Sequence, residues 1–274
     1  MNGTLNIVRY ATVIPARNEE EFLPTVLEAL QLQTLKPTQT ILVDDGSEDF
    51  TGDIGRDYGC TVVSLPPHKE SWRGMPLLAG VVNAGLCQVR DNLEYVMILG
   101  ADHVLPPRYV EALIERMNLN PRLVVVSGLI TGETPDPGTP RGSGRIVRIS
   151  FWRPLGLRYP HLYGWEDWLI LKAQQLGYET KRFDDVESSI LRPTAANLYY
   201  GIGRSMQVLG YFPLYALARC VRMFPRQPKA ALQMFRGWAT NWGVKKADLA
   251  DWNREHLKKR LVDVVREFEQ WVVR

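Results

Sequence analysis

The sequence predicts an α/β fold, a mostly parallel central sheet with helices on both faces, followed by a helical extension. Three observations predict it. Short apolar runs alternate with segments of helical periodicity through the first half of the chain, several of those runs end in polar turn motifs, and from about Asn197 the pattern is mainly helical. A composition of 45% hydrophobic and 23% charged residues excludes a disordered chain. The length of 274 residues suits one large domain or a domain with an extension.

Ala11–Ile14 reads as a short buried strand. Phe22, Leu23, Val26, Leu27 and Leu30 recur at helical spacing, which predicts a helix over Glu20–Leu32. Thr40–Val43 is a second strand, and Asp49 or Thr51 suits the cap of a short helix before a strand at Cys60–Ser64. Pro76–Gln88 reads as helix and Tyr95–Leu99 as strand. Pro107 fits a first helical turn, with helix over Tyr109–Met117 and a strand at Leu123–Ser127. This rhythm implies crossover connections and parallel pairing. Thr131–Gly144, rich in Gly and Pro, then reads as a long mobile loop of the kind that forms lids or binding loops. A strand at Ile146–Phe151, a helix over Glu166–Leu176 ended by Gly177, and a strand at Thr180–Phe183 complete the set.

Charge is unevenly placed. Residues 1–203 hold 19 Lys+Arg against 24 Asp+Glu, whereas residues 204–274 hold 14 against 6. A basic tail on an acidic body suggests an anionic partner, and a solvated helical face is the plain alternative. Tyr211, Phe212, Leu214 and Tyr215 interleave with Arg219, Arg222, Phe224 and Arg226, the pattern of an interfacial helix. With no nucleic-acid recognition motif beside it, the pattern favours a membrane surface over nucleic acid. Ala247–Arg274 has heptad-like apolar spacing and is expected to pack on the domain or on a second subunit of a homodimer. The first residues lack a signal-peptide pattern, and no apolar window approaches a spanning length. Cys60, Cys87 and Cys220 form no C-x-x-C pair and read as reduced thiols of a cytoplasmic protein.

Chemistry-bearing residues cluster where strands end, the place at which open α/β sheets bind ligands. Asp44 and Asp45 close the second strand, where a carboxylate can accept from a nucleobase N–H or a ribose hydroxyl and equally can serve turn chemistry. Arg73 and Gly74 precede a helix, a position from which an arginine can engage a diphosphate. Asp102 and His103 follow the Tyr95–Leu99 strand, and a carboxylate with an imidazole there can hold a divalent metal. Glu166 and Asp167 open a helix between Trp165 and Trp168. Acids favour helix starts, and a carboxylate among tryptophans also suits a general base facing a sugar.

Taken in order, VIPARNEE, VDDGSEDFT, Arg73-Gly74 with Asn83, Glu166-Asp167 and Leu191–Pro193 resemble the family 2 glycosyltransferases, the inverting GT-A enzymes. The resemblance covers roughly residues 10–195. It implies a GT-A catalytic domain at 1–197 and an extension at 198–274. It implies a nucleotide pocket at Pro15, Ala16, Arg17, Glu19, Asp45 and Ala101, with Arg73, Gly74, Asn83 and Arg192 bordering the diphosphate and sugar. Asp167 takes the general-base place beside Glu166. The implied reaction moves a sugar from a UDP- or GDP-type nucleotide-diphospho-sugar to a glycan or lipid-linked acceptor, at its hydroxyl or phosphate. Two departures concern the metal. The family's Asp-x-Asp reads Gly100-Ala101-Asp102 here, and Ile190 stands where a histidine often precedes Leu-Arg-Pro. Asp102 is therefore expected to hold Mg²⁺ or Mn²⁺ with the diphosphate, His103 assisting. The departures also admit a catalytically weak or dead nucleotide-sugar-binding module. A nucleotidyltransferase fits less well, because PARNEE stands where a Gly-rich, basic loop would follow the first strand.

Overall fold

The computed structural model describes residues 8–132, 139–192, 199–240 and 243–260. These form two compact units. One comprises residues 1–71, 80–159 and 176–193, and the other residues 72–79, 160–175 and 194–274. Residues 133–138 of the predicted loop, the proposed boundary near Asn197, Pro193 and residues 261–274 of the predicted last helix lie outside the described residues.

The first unit holds the sheet. Strands β1 (Tyr10–Ala16), β2 (Gln39–Asp44), β3 (Thr61–Ser64) and β4 (Tyr95–Ile98) stand in the order β3-β2-β1-β4, all parallel. The apolar runs of β1, β2 and β4 are buried on both faces, as parallel strands covered by helices require, whereas β3 at the sheet edge is partly exposed. The sheet continues through β7 (Arg145–Arg148), β6 (Leu123–Ile130), β8 (Glu179–Ile190) and β5 (His103–Val104). β7 is antiparallel to both its neighbours, while β6 and β8 pair in parallel. Helices α1 (Leu23–Gln31), α2 (Thr51–Asp57) and α4 (Tyr109–Leu119) flank the sheet. Leu23, Val26, Leu27 and Leu30 of α1 join Tyr10, Ile14 and Leu42 in one buried cluster, so the predicted stripe is the buried stripe.

Several boundaries differ from expectation. The strand expected over Ile146–Phe151 ends at Arg148, and Ile149–Trp152 turn into a short helix, α5, that buries Trp152. The capping position of α2 falls on Phe50, while the Asp49 carboxylate accepts the Thr51 N–H at 3.0 Å. Pro107 precedes α4 rather than opening it, and its carbonyl accepts the Thr34 N–H at 2.8 Å. The two-residue β5, too short to show periodicity, was not expected. α3 (Leu77–Leu86) is helical as predicted.

The second unit is built from α6 (Trp165–Gln175), α7 (Tyr199–Val208), α8 (Pro213–Met223) and α9 (Pro228–Ala239), with helix again over residues 250–260. Met206, Ala216, Cys220, Met234 and Trp238 form its core. α7 and α9 meet backbone to backbone. A Cβ on Gly203 would lie 2.0 Å from the Met234 carbonyl oxygen, and one on Gly237 would lie 2.1 Å from that of Tyr200. Only glycine permits this approach.

Candidate active site

The loops that follow β1 and β2 are knitted together by their polar side chains. Ser47 Oγ accepts the Asn18 N–H at 3.0 Å, Asn18 Oδ1 accepts the Glu48 N–H at 2.9 Å, and Thr51 Oγ1 accepts the Glu19 N–H at 2.8 Å. Asp44 is spent on turn chemistry, accepting the Ser47 N–H at 3.0 Å. Asp45, the next residue, takes no part in that turn bond. Its N–H donates to the Ala16 carbonyl at 2.8 Å, and its side chain is buried. Pro15 and Ala16, the last residues of β1, complete this edge.

Asp45 has a partner that sequence reasoning missed. His68 Nε2 stands 3.1 Å from Asp45 Oδ1. Arg17 Nη1 lies 2.8 Å from His68 Nδ1, and Arg17 also donates to the carbonyl oxygens of His68 and of Glu70, the latter at 2.5 Å. His68 Nδ1 also lies 2.6 Å from the Glu70 carbonyl oxygen, so Arg17 and the imidazole share that acceptor while Nε2 faces Asp45. Burial lifts the Asp45 carboxyl above its ordinary pKa, against the pull of His68 and Arg17. Gly46 makes room for this loop: at φ +68°, a Cβ there would meet the Pro66 carbonyl oxygen and Pro67 Cα at 2.7 Å. Nothing in the pattern PPHKE signals the contact, because it depends on a close approach of two loops.

A second cluster lies where β1 and β4 end. Arg192 Nη2 donates to Glu19 Oε1 at 2.5 Å, and its Nε donates to Asp102 Oδ2 at 3.3 Å. Its guanidinium also covers the Phe22 ring at 5.3 Å. Partial burial works against the arginine's charge, but Glu19 and Asp102 overcome it and raise its pKa. The Leu191 N–H donates to the Asp102 carbonyl at 2.8 Å, which ties the late segment to the predicted metal-binding turn. Ala101 is buried within that turn. Three expected site residues, distant in sequence, are thus brought together.

Two expected site residues are engaged within the protein. His103 is 1% exposed, with its ring enclosed by Ser143 and Ser188. Ser188 Oγ donates to the Leu129 carbonyl at 3.1 Å, so it accepts from His103 Nε2–H at 2.8 Å. His103 Nδ1 then accepts from Ser143 Oγ–H at 2.6 Å, and that oxygen accepts the Gly100 N–H at 2.8 Å. Both ring nitrogens are engaged, and burial drives the imidazole pKa down to about 4. His103 is a neutral brace for the base of the 131–144 loop rather than a metal ligand. Asn83 is likewise a brace: its amide donates to the Tyr159 carbonyl at 2.8 Å and accepts the Tyr159 N–H at 2.8 Å, so it is not aimed at a donor sugar.

In the second unit, Arg73 and Gly74 are exposed, and a Cβ on Gly201 of α7 would lie 3.5 Å from the Gly74 carbonyl oxygen. Glu166 and Asp167 occupy the first turn of α6, with Asp167 exposed. After burial, the Asp167 charge helps raise the pKa of Tyr211. α6 is held by the chain that follows the core. Trp168 Nε1 and Lys172 Nζ both donate to the Asp248 carboxylate at 2.7 Å. Burial raises the Asp248 pKa, yet these two donors outweigh it and hold the carboxyl below its usual value.

Comparison with known proteins identifies the family. Residues 12–167 match the family Glycosyl transferase family 2. An undecaprenyl-phosphate 4-deoxy-4-formamido-L-arabinose transferase from Serratia proteamaculans is 28% identical over 157 residues, 55% of this chain and 45% of the relative. A 4,4'-diaponeurosporenoate glycosyltransferase from Staphylococcus haemolyticus is 38% identical over 66 residues, 23% of this chain and 17% of the relative. The chain thus spans less than half the length of these curated relatives. Among solved structures, S. aureus TarS 1-349 in complex with UDP-GlcNAc superposes with a TM-score of 0.58 at 15% identity, covering 85% of this chain and 79% of that one. A mannosyltransferase from Pyrobaculum calidifontis in complex with GDP-Man and Mn²⁺ gives 0.57 at 16% identity, covering 95% and 82%. At these identities the structural likeness establishes the shared fold.

Proposed function

Because the chain belongs to glycosyl transferase family 2, we propose that it moves a sugar from a UDP- or GDP-type nucleotide-diphospho-sugar to an acceptor, with inversion at the anomeric carbon. The joining of Glu19, Arg192 and Asp102 at the ends of β1 and β4 carries this reading. It gathers one cation and two carboxylates where an open sheet receives a nucleotide. In this reading Pro15, Ala16, Arg17 and Asp45 border the base, and Asp45 accepts from a base N–H with its orientation fixed by His68. Arg192 and Arg73 stabilise the diphosphate as it departs. That group gains negative charge in the transition state, so fixed cations lower the barrier preferentially. Asp167 removes the proton from an acceptor hydroxyl, with Glu166 beside it at the start of α6.

Asp102 fits a divalent cation. Its side chain is partly exposed and is met by one arginine nitrogen at 3.3 Å, and its donors are the oxygens that Mg²⁺ or Mn²⁺ prefer. Among the described residues no cluster of three or more His, Cys, Asp or Glu side chains forms a metal cage, so the remaining ligands fall to diphosphate and water. When bound, the cation supplies positive charge to the leaving diphosphate. His103 takes no part.

A lipid-linked acceptor is supported by the curated relative named for undecaprenyl-phosphate. The enzyme then works as a peripheral protein at the cytoplasmic face of a membrane. Among the described residues no helix is long and apolar enough to cross one. The proposed division into a catalytic domain at 1–197 and an extension at 198–274 gives the extension a second task, since Asp248 anchors the helix that carries Asp167. A thermal-shift panel of UDP-, GDP- and TDP-sugars with Mn²⁺ tests the donor assignment. One strongly stabilising donor supports it, and no responder contradicts it. Binding of that donor without turnover or slow hydrolysis would instead favour the inactive module.

A further inference from the structure

We infer that the outward face of α8 and α9 is a docking surface for an anionic lipid monolayer. The inference rests on the reading of the enzyme as a peripheral membrane protein and names the element that makes the contact.

α8 carries two apolar stripes. Ala216 and Cys220 point inward and join the core of the second unit, with Met223 packed against them. On the opposite side Leu214, Leu217, Val221 and Phe224 recur at three- and four-residue spacing, and all are exposed: Leu214 at 60%, Val221 at 61% and Phe224 at 57%. A helix on the surface of a water-soluble domain ordinarily turns polar residues outward. Here the outward stripe is apolar, and α9 extends it with Leu232 at 64% exposure and Phe235 at 38%. An exposed cluster of this kind marks an interaction surface.

The charge around the stripe selects the occupant. Residues 204–246 contain eight Lys+Arg and no Asp or Glu. Arg219 is turned onto Tyr211, with its guanidinium 5.9 Å from the ring centre. Arg222, Arg226, Lys229 and Arg236 are exposed beside the apolar stripe. Apolar residues flanked by cations, with no acid among them, describe a helix that lies in a lipid interface among anionic headgroups. A second copy of this chain would bring the same cations face to face, which argues against dimerisation through this surface.

Flotation of the full chain with phosphatidylcholine vesicles, with and without phosphatidylglycerol, tests the inference. Wild type is expected to float with the anionic vesicles and to be released by salt. Replacing Leu214, Val221 and Phe224 together by serine should weaken partitioning by about a thousandfold or more, since each removes most of a buried side chain's transfer energy. Arg222→Gln and Arg226→Gln should each weaken it by about fivefold. Thermal unfolding and nucleotide binding should be unchanged in both sets, and the arginine variants keep the test valid if the serine variant misfolds. Equal flotation of wild type and both variant sets would overturn the docking face and leave the peripheral reading standing. Equal binding to neutral vesicles would overturn the anionic assignment. Wild type that floats with neither vesicle overturns the face and the membrane reading together. Self-association that is lost in the serine variant, without vesicle binding, would assign the face to a second copy.

Discussion

Acidification should destabilise the first unit through His103, and the size of the effect follows from its burial. The imidazole pKa falls from 6.5 in the unfolded chain to about 4 in the folded one. Between those values the unfolded state binds the proton and the folded state does not. The stabilisation is therefore complete above the unfolded pKa and is lost as pH falls toward the folded one. At about 1.4 kcal/mol per unit, the full loss is about 3 kcal/mol, a large part of a domain's typical stability of about 5–15 kcal/mol. Urea denaturation from neutral pH down to about pH 4 measures it. Other groups titrate in this window, so the comparison is with His103→Gln, whose amide can still donate to Ser188 and accept from Ser143. Stability of the variant should fall less steeply with acid than that of wild type. Equal slopes in the two proteins would refute the assignment of His103 as a buried neutral brace. The same variant should keep the metal dependence of nucleotide binding, because no ligand is lost.

Other outcomes follow from the same geometry. Asp167→Asn should lower kcat by roughly 10²–10⁴-fold with little change in donor affinity, measured by steady-state kinetics. His68→Ala should raise the donor KM by about tenfold at nearly constant kcat, with His68→Gln closer to wild type because its amide can still donate to Asp45. Gly203→Ala should cost about 1–3 kcal/mol in thermal unfolding, since the added carbon meets the α9 backbone rather than a movable side chain. Asp248→Asn should lower the melting temperature at neutral pH and remove part of the acid sensitivity. The depressed Asp248 pKa stabilises above the ordinary carboxylate value and fails as pH falls through the folded one.

The parallel half of the fold was legible because β4 and the middles of β1 and β2 are apolar and each strand is followed by a polar turn. The C-terminal helices were legible from periodicity. β5 escaped because two residues carry no period, and α5 because its apolar residues continue those of β7. At the site, Asp45, Glu19, Asp102 and Arg192 stand at strand ends or in the Leu-Arg-Pro segment, where motif order placed the expected site residues. His103 was expected beside Asp102 because the two are adjacent in sequence, whereas the folded chain engages its ring with Ser143 and Ser188, which no local pattern signals. Asn83 looked like part of a small helix face, and only the folded chain brings Tyr159 to it. His68 lies in a loop without pattern, and its contact with Asp45 depends on Gly46 as much as on itself.

Calorimetric titration of UDP and GDP, with and without Mn²⁺, into wild type and Asp102→Asn tests the central claim most directly. One nucleotide should bind wild type with an affinity strengthened by Mn²⁺, and Asp102→Asn should lose that strengthening while still unfolding cooperatively. Binding that is indifferent to Mn²⁺ and equal in the two proteins would contradict Asp102 as the carboxylate that joins cation and diphosphate.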